Sequence, residues 1–331
     1  MHITKSPMRI TFIGGGTDYE SFFKHNSGAS IFAAIDKFVY VSTINQPLFV
    51  EDLYKFTYRK TEGVGSIEEI EHPVVKAILK EFQWNLPMNI STMADLPESS
   101  GLGSSSAFTS ALYQNLATRK GYSLDSKSLA QKSISIERTL LQEPGGWQDQ
   151  ISTVFGGLRL VQFNSNNFEV SKDLLDDNLV SYLSSRLILI RTKLIRKDMS
   201  SALLTEKLVQ KSEYISDLIK VTEFSRNLWD LMIKNKNVES IFEVLVSAIQ
   251  ISWKYKSKWG EHIMTSEVES IIHKIEKLGE SVYKLVGAGG GGFLLVAANP
   301  DIISKIKSSF SEKDYISFKL YSQGTDTVKY G

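Results

Sequence analysis

The segment PESSGLGSSSA at residues 97–107 constrains this chain more than any other. It lies between an extended run, LPMNISTM at 86–93, and an apolar stripe of Phe108, Ala111, Leu112 and Leu116 at helical spacing. Gly101 and Gly103 let the backbone approach a ligand closely. Ser104, Ser105 and Ser106 bring hydroxyls and N–H groups to the start of the helix that follows. A strand, a glycine turn and a serine-rich helix start form a phosphate cradle, to which the helix dipole adds about 0.3–1 kcal/mol for an anion. A serine hydroxyl placed there also suits Mg²⁺.

Two further glycine runs frame it. KLVGAGGGGFLLV (284–296) formally contains G-x-G-x-x-G at Gly287, Gly289 and Gly292, but an apolar run follows where a dinucleotide site needs a helix. The protein-kinase alternative fails because V-A-I-K, H-R-D and D-F-G do not occur. A hairpin whose glycine turn packs on the phosphate loop or the substrate is the reading that remains. The third run, PMRITFIGGGTD (7–18), takes a strand into Gly14, Gly15 and Gly16 and ends on Asp18, a cap or a ligand. No G-x-x-x-x-G-K-[ST] occurs, which excludes a P-loop enzyme. Glu137, on a predicted helix, and Asp149, after the turn PGGWQ, each read alone as a solvated carboxylate; beside the glycine segments they are candidates for the carboxylates that phosphoryl transfer calls for. One would ligate metal, and the other would orient or deprotonate the attacking hydroxyl.

Composition removes other classes. Lys plus Arg number 38 against 37 Asp plus Glu, a net charge of +1, so no general field attracts nucleic acid or an anionic membrane. Without cysteine there is no disulfide, thiolate nucleophile or Cys-bound metal, and the 5 histidines form no H-E-x-x-H pair. The N-terminus breaks at Pro7 and Gly14 before a signal segment can form, and no window reaches the roughly 20 apolar residues of a membrane helix. The expectation is a cytoplasmic protein with no membrane or nucleic-acid partner.

Strands are predicted at 8–13, 31–45, 86–93, 153–163, 186–192, 282–287, 293–298 and 316–321. Helices are predicted at 73–83, from 107 to the C-cap Gly121, at 126–141, and through most of 197–278. Strand runs separated from helix runs favour α+β, with a division near 180 into domains 1–180 and 181–331.

These segments, in this order, resemble the GHMP kinase superfamily over almost the whole chain. Within it, RITFIGGGTDYESFF (9–23), IDKFVYV (35–41), YRKTEGVGSIEEIEHPVV (58–75) and EPGGWQDQ (143–150) look most like the D-glycero-D-manno-heptose 7-phosphate kinases and related fucokinases. The resemblance implies a ribosomal S5 domain 2-like N-terminal domain, a ferredoxin-like C-terminal domain and a cleft binding ATP, Mg²⁺ and a small-molecule sugar phosphate. It implies transfer to the anomeric hydroxyl of heptose 7-phosphate, giving the 1,7-bisphosphate on the way to a nucleotide-activated heptose. Rival readings are a kinase for another sugar such as L-fucose and a catalytically silent sugar sensor.

Residue by residue, it implies ATP binding by Pro97, Ser99, Ser100, Gly101, Leu102, Gly103, Ser104, Ser105 and Ser106. Mg²⁺ would be held by Ser105 and Glu137, though the triple serine replaces a double serine of several relatives and leaves the register open by one position. Asp149 would be the general base with Arg9 beside it. Substrate contacts would come from Gly15, Gly16, Thr17, Asp18, Arg196, Gly289 and Gly290, with Lys193 and Lys197 as alternatives to Arg196. Galactokinases carry a Glu-His pair where this chain has Gly15 and Gly16, so space beside the sugar is expected there. The oligomeric state stays open, a homodimer being one option.

Overall fold

The computed structural model describes residues 1–98, 100–165, 167–193, 200–235, 237–260 and 262–329. Its first sheet is built on two long strands, β1 (His2–Ile13) and β2 (Gly28–Asn45), paired antiparallel. β3 (Tyr54–Thr57), β4 (Thr61–Val64), β5 (Met88–Ala94), β6 (Leu158–Asn164) and β7 (Asn167–Val170) extend it. β2, rich in β-branched and aromatic residues, is long enough to serve two partners on one side. Ala33 and the residues before it pair with β6, whereas Val39 to Asn45 pair with β5.

The second sheet is antiparallel and consists of β8 (Leu187–Thr192), β9 (Ser281–Leu285), β10 (Gly292–Ala298) and β11 (Tyr315–Ile316), in the order β11-β8-β10-β9. The chain then returns. β12 (Asp326–Lys329) pairs with the outer edge of β1, with Leu320 bridging to Ile35 on the way. The strand expected at 316–321 is thus split, and the first sheet takes its last strand from beyond the division drawn at 180.

Helices fill the space around both sheets: α1 (Glu20–Asn26), α2 (Pro73–Glu81), α3 (Ser104–Arg119), α4 (Ser126–Ile134), α5 (Gln148–Phe155) and α6 (Asp177–Ser184), then α7 (Ser200–Val209), α8 (Ser212–Lys234), α9 (Val238–Lys256), α10 (Ser266–Glu276) and α11 (Pro300–Ser309). Among the described residues, none is long and apolar enough to cross a membrane.

α3 is the central one. Beyond the expected stripe it also buries Ser106, Thr109, Ser110 and Asn115. Their polar atoms are paired: Thr43 donates to the Asn115 carbonyl at 2.5 Å, Asn115 donates to Thr4 Oγ1 at 3.0 Å, and Ser110 donates to Ser133 at 3.0 Å. A helix buried on several faces needs such partners. α3 is therefore clamped between the sheet and its neighbouring helices, which fixes where its N-terminus points.

Three expectations are corrected. Residues 153–155 end α5 and are not strand. β1 starts at His2 and runs through Pro7, tolerated because the register shifts between Pro7 and Met8. The helix expected at 126–141 changes at Ser135 into a π-helix, Ser135–Leu140, which carries Glu137 and leaves Leu140 exposed. The wider turn rotates Leu140 off the apolar face of Leu129 and Ile136.

Candidate active site

A cleft of about 1140 Å³ brings the three glycine segments together. One wall comes from β1 and the starts of α3 and α5; the other comes from α9, β9 and the turn before β10.

Gly101 and Gly103 both have φ of +76°, a conformation that L residues rarely adopt. Gly103 caps α3 without a side-chain cap bond, and among the described residues no side chain accepts from the first-turn amides, so these N–H groups stay available at the cleft. The hairpin turn between β9 and β10 packs on this loop, as its glycines predicted. A Cβ on Gly287 would lie 2.7 Å from Gly101 Cα, and one on Gly292 would lie 2.5 Å from the Ser100 carbonyl. Gly289 and Gly290 do not reach the cleft wall expected of them. Gly290 donates to the His262 carbonyl at 2.8 Å and Gly289 packs on Ile263, so Gly287 and Ala288 form the cleft face. Pro97, Ser104 and Ser105 line the cleft, whereas Ser100 and Leu102 are buried beneath it. Ser99 and Arg196 lie outside the described residues.

Arg9, 4% exposed, projects from β1 onto Asp149 in the first turn of α5. Its Nε donates to Oδ1 at 2.9 Å and its Nη2 to Oδ1 and Oδ2 at 2.7 Å each, while Nη1 donates to the Gly101 carbonyl at 2.6 Å. One guanidinium therefore locks a carboxylate and braces the glycine turn at 101–103. The Arg9 amide also donates to the Leu102 carbonyl at 2.8 Å.

Glu137 is 1% exposed, and its two carboxylate oxygens differ. Oε2 accepts from Ser106 at 3.0 Å, Gln150 at 2.5 Å and Arg138 at 3.1 Å. Oε1 is buried with no partner among the described residues. Ser106, not Ser105, is thus the serine in contact with Glu137; Ser105 is exposed at the cleft. An orphaned, oriented carboxylate oxygen beside a serine-lined phosphate loop fits Mg²⁺, which takes one or two protein oxygens and completes its shell with water and phosphate. Glu143, on the same wall, is pushed up to about 7, first by burial and then by the charge of Glu137.

Asp18 lines the same cleft. Its oxygens accept from the Gly16 amide at 3.0 Å and the Gln148 amide at 3.3 Å. Burial, then the charge of Asp149, pushes its carboxyl up to about 6 against these hydrogen bonds. Thr17 is fully buried and donates to the carbonyls of Gly14 and Ala29, so it braces the turn and faces no ligand. The space expected at Gly15 and Gly16 is half realised. A Cβ at Gly15 would meet nothing within 4 Å, but one at Gly16 would lie 2.6 Å from the Trp259 ring.

Trp259, Lys284 and Glu143 line the cleft and were not singled out from the sequence. Nor was an aromatic cluster that also lines it, where the Phe56 and Tyr58 rings stack at 4.6 Å and His72 packs edge-on at 5.2 Å from Phe108. Lys284 opens the third glycine segment and Glu143 opens EPGGWQDQ, so both lay inside quoted motifs. The aromatic residues come from β3, the turn after it, the start of α2 and α3, and no local pattern joins them.

Residues 69–157 match the family model for the GHMP kinases N terminal domain. A D-glycero-alpha-D-manno-heptose 7-phosphate kinase of Campylobacter jejuni is 26% identical, over 95% of this chain and 94% of that protein. A bifunctional fucokinase/GDP-fucose pyrophosphorylase of Arabidopsis thaliana is 23% identical over 96% of this chain, which spans 32% of that longer protein. Among solved structures, a D-glycero-D-manno-heptose 1-phosphate kinase of Bacteriodes thetaiotaomicron has a TM-score of 0.80 at 17% identity, covering 100% of both chains. The mevalonate kinase of Methanococcus jannaschii has a TM-score of 0.70 at 18% identity, covering 96% of this chain and 98% of that one. Residues 69–157 are thus a GHMP kinase N-terminal domain, set in a chain that has the GHMP kinase fold along its whole length.

Proposed function

We propose that this protein transfers the γ-phosphoryl group of ATP to the anomeric hydroxyl of D-glycero-D-manno-heptose 7-phosphate. The observation that carries the reading is the Arg9-locked Asp149 carboxylate, held in one cleft with the open helix start at 103–106 and the buried Glu137 oxygen. The loop 101–106 would hold the ATP phosphates, and the Phe56, Tyr58, His72 and Phe108 cluster would take its base. Glu137 Oε1 and the cleft-facing Ser105 hydroxyl would hold Mg²⁺, which would neutralise phosphate charge when bound. Ser106, Gln150 and Arg138 hold Glu137 Oε2 and so aim Oε1. Asp149 accepts the proton of the attacking hydroxyl, and Arg9 keeps that carboxylate in line while its charge balances the one that develops. Asp18 accepts hydrogen bonds from sugar hydroxyls, and Trp259 closes the pocket beside Gly16.

The Campylobacter relative supports heptose 7-phosphate as acceptor, and the Arabidopsis relative supports L-fucose as the second reading. The test is ADP release with ATP and Mg²⁺ over heptose 7-phosphate, free heptose, L-fucose, galactose, mevalonate and homoserine. Turnover confined to the heptose phosphate is the expected result. Preference for L-fucose would replace the substrate and keep the mechanism, and binding without turnover would favour a sensor.

Asp18 adds a pH dependence. With its carboxyl at about 6, it is ionised at pH 7 and protonated at pH 5, where it loses acceptor capacity. Affinity for the neutral sugar is expected to fall about tenfold from pH 7 to 5, as one-proton linkage dictates, and to stay flat in Asp18→Asn. Calorimetry at both pH values reads this, and an equal slope in the variant would assign the proton elsewhere.

A further inference from the structure

The proposed reaction leaves Lys284, a buried cation on the cleft wall, without a task. Lys284, on β9, is 3% exposed and lines the cleft. Its Nζ donates to the Phe12 carbonyl at 3.1 Å and the Ser252 hydroxyl at 2.7 Å. Both acceptors are neutral, and an ammonium group has a third proton to give. The charged group that acts on it is Arg9, itself a cation, and burial together with that charge pushes the lysine down to about 7. A buried charge is costly unless it is paired. No described carboxylate bonds to this one, and an anion entering the cleft would supply the pair.

Its surroundings place it toward the acceptor. Phe12 lies two residues before Gly14, and Trp259, just beyond the helix that carries Ser252, packs against Gly16. The neighbouring Lys256 reaches the other way and donates to the carbonyls of Leu285 and Gly287 in the turn that covers the ATP loop. ATP phosphates already have the open amides at the start of α3.

We infer that Lys284 Nζ, framed by the Phe12 carbonyl and the Ser252 hydroxyl, is an anion-recognition point for the phosphate that the acceptor substrate carries. The inference rests on the sugar-phosphate reading above and assigns which residue of this chain reads that phosphate. A phosphate monoester offers about two negative charges and three acceptor oxygens, the chemistry an unpaired ammonium selects.

The experiment is calorimetric binding of heptose 7-phosphate, free heptose and ATP to the full-length wild type, Lys284→Met and Ser252→Ala, with melting curves to confirm folding. Lys284→Met is expected to weaken heptose 7-phosphate by about 10- to 100-fold, the range for a hydrogen bond to a charged group, and to leave free heptose and ATP within about threefold. Ser252→Ala keeps the charge and releases its tether, so a smaller loss with the same selectivity is expected. Equal weakening of phosphorylated and free heptose, or no change in either, would overturn the inference. Weakening of ATP alone would move the contact to the nucleotide and overturn the acceptor assignment. If the wild type takes a different sugar phosphate, the heptose reading falls separately. The comparison of that phosphate with its free sugar then decides the role of Lys284.

Discussion

Replacement of Asp149 by asparagine is expected to lower kcat by about 10²- to 10⁴-fold while KM for ATP and for the sugar stays within about threefold. The carboxylate is held by three hydrogen bonds from Arg9, so its position is set before substrate arrives. Asparagine keeps the shape and one acceptor oxygen but cannot take the proton of the attacking hydroxyl. Its amide also turns a donor toward Arg9 Nη2, which itself donates to both oxygens in the wild type. A modest drop in melting temperature therefore accompanies the kinetic loss. Steady-state kinetics at saturating ATP separates the two, because a fold defect lowers the active fraction without a consistent change in kcat per active site. A loss of less than about tenfold would mean that positioning and charge stabilisation suffice, as they do in much phosphoryl transfer, and that Asp149 is not the base.

The second large effect belongs to Arg9→Met. The substitution removes the three bonds to Asp149 and the one to the Gly101 carbonyl, and so loosens both that carboxylate and the glycine loop. The arginine stem also packs under that loop, since a Cβ on Gly103 would lie 3.2 Å from Arg9 Cγ. We expect kcat to fall by about 10²- to 10³-fold through lost charge stabilisation, and KM for ATP to rise severalfold. The stability cost should be about 1–3 kcal/mol. It stays below that of a fully buried pair because the Asp149 side chain is 32% exposed and water solvates the freed carboxylate. Arg9→Lys restores the charge but not the two-pronged grip, so it should recover part of the ATP affinity and little of kcat. In the double variant with Asp149→Asn the kinetic losses should fall well short of multiplying, since the two residues act as a unit. Fully multiplicative losses would show that Arg9 acts apart from Asp149.

The cradle at 97–107 and the glycine hairpin at 284–296 were legible in the sequence because their signals are local. Positive-φ glycines, a helix start marked by serines and an apolar run too short for a helix each reflect the energetics of a few adjacent residues. Asp149, Glu137 and Asp18 were singled out by resemblance and by the chemistry of carboxylates, and all three line the cleft. Other features needed the fold. Ser106 reaches Glu137 because α3 is wedged at one rotation against a π-helix, and a one-residue register choice among three serines carries no local energy difference. Trp259 fills the space that Gly16 vacates, which a glycine on its own reads as emptiness.

What the sequence by itself determined, then, is the glycine turn and serine-marked helix start at 101–106 and the longest strands and helices around it. Tertiary structure alone decided which side chains meet and in what electrostatic state. Arg9 and Asp149 are separated by 140 residues, and Lys284 and Phe12 by 272. The carboxyl of Asp18 at about 6 and the ammonium of Lys284 at about 7 arise from burial and neighbouring charge, and both are properties of packing. Backbone preference acts over one or two turns of chain, whereas desolvation and Coulomb energy act over distances that only the folded arrangement sets.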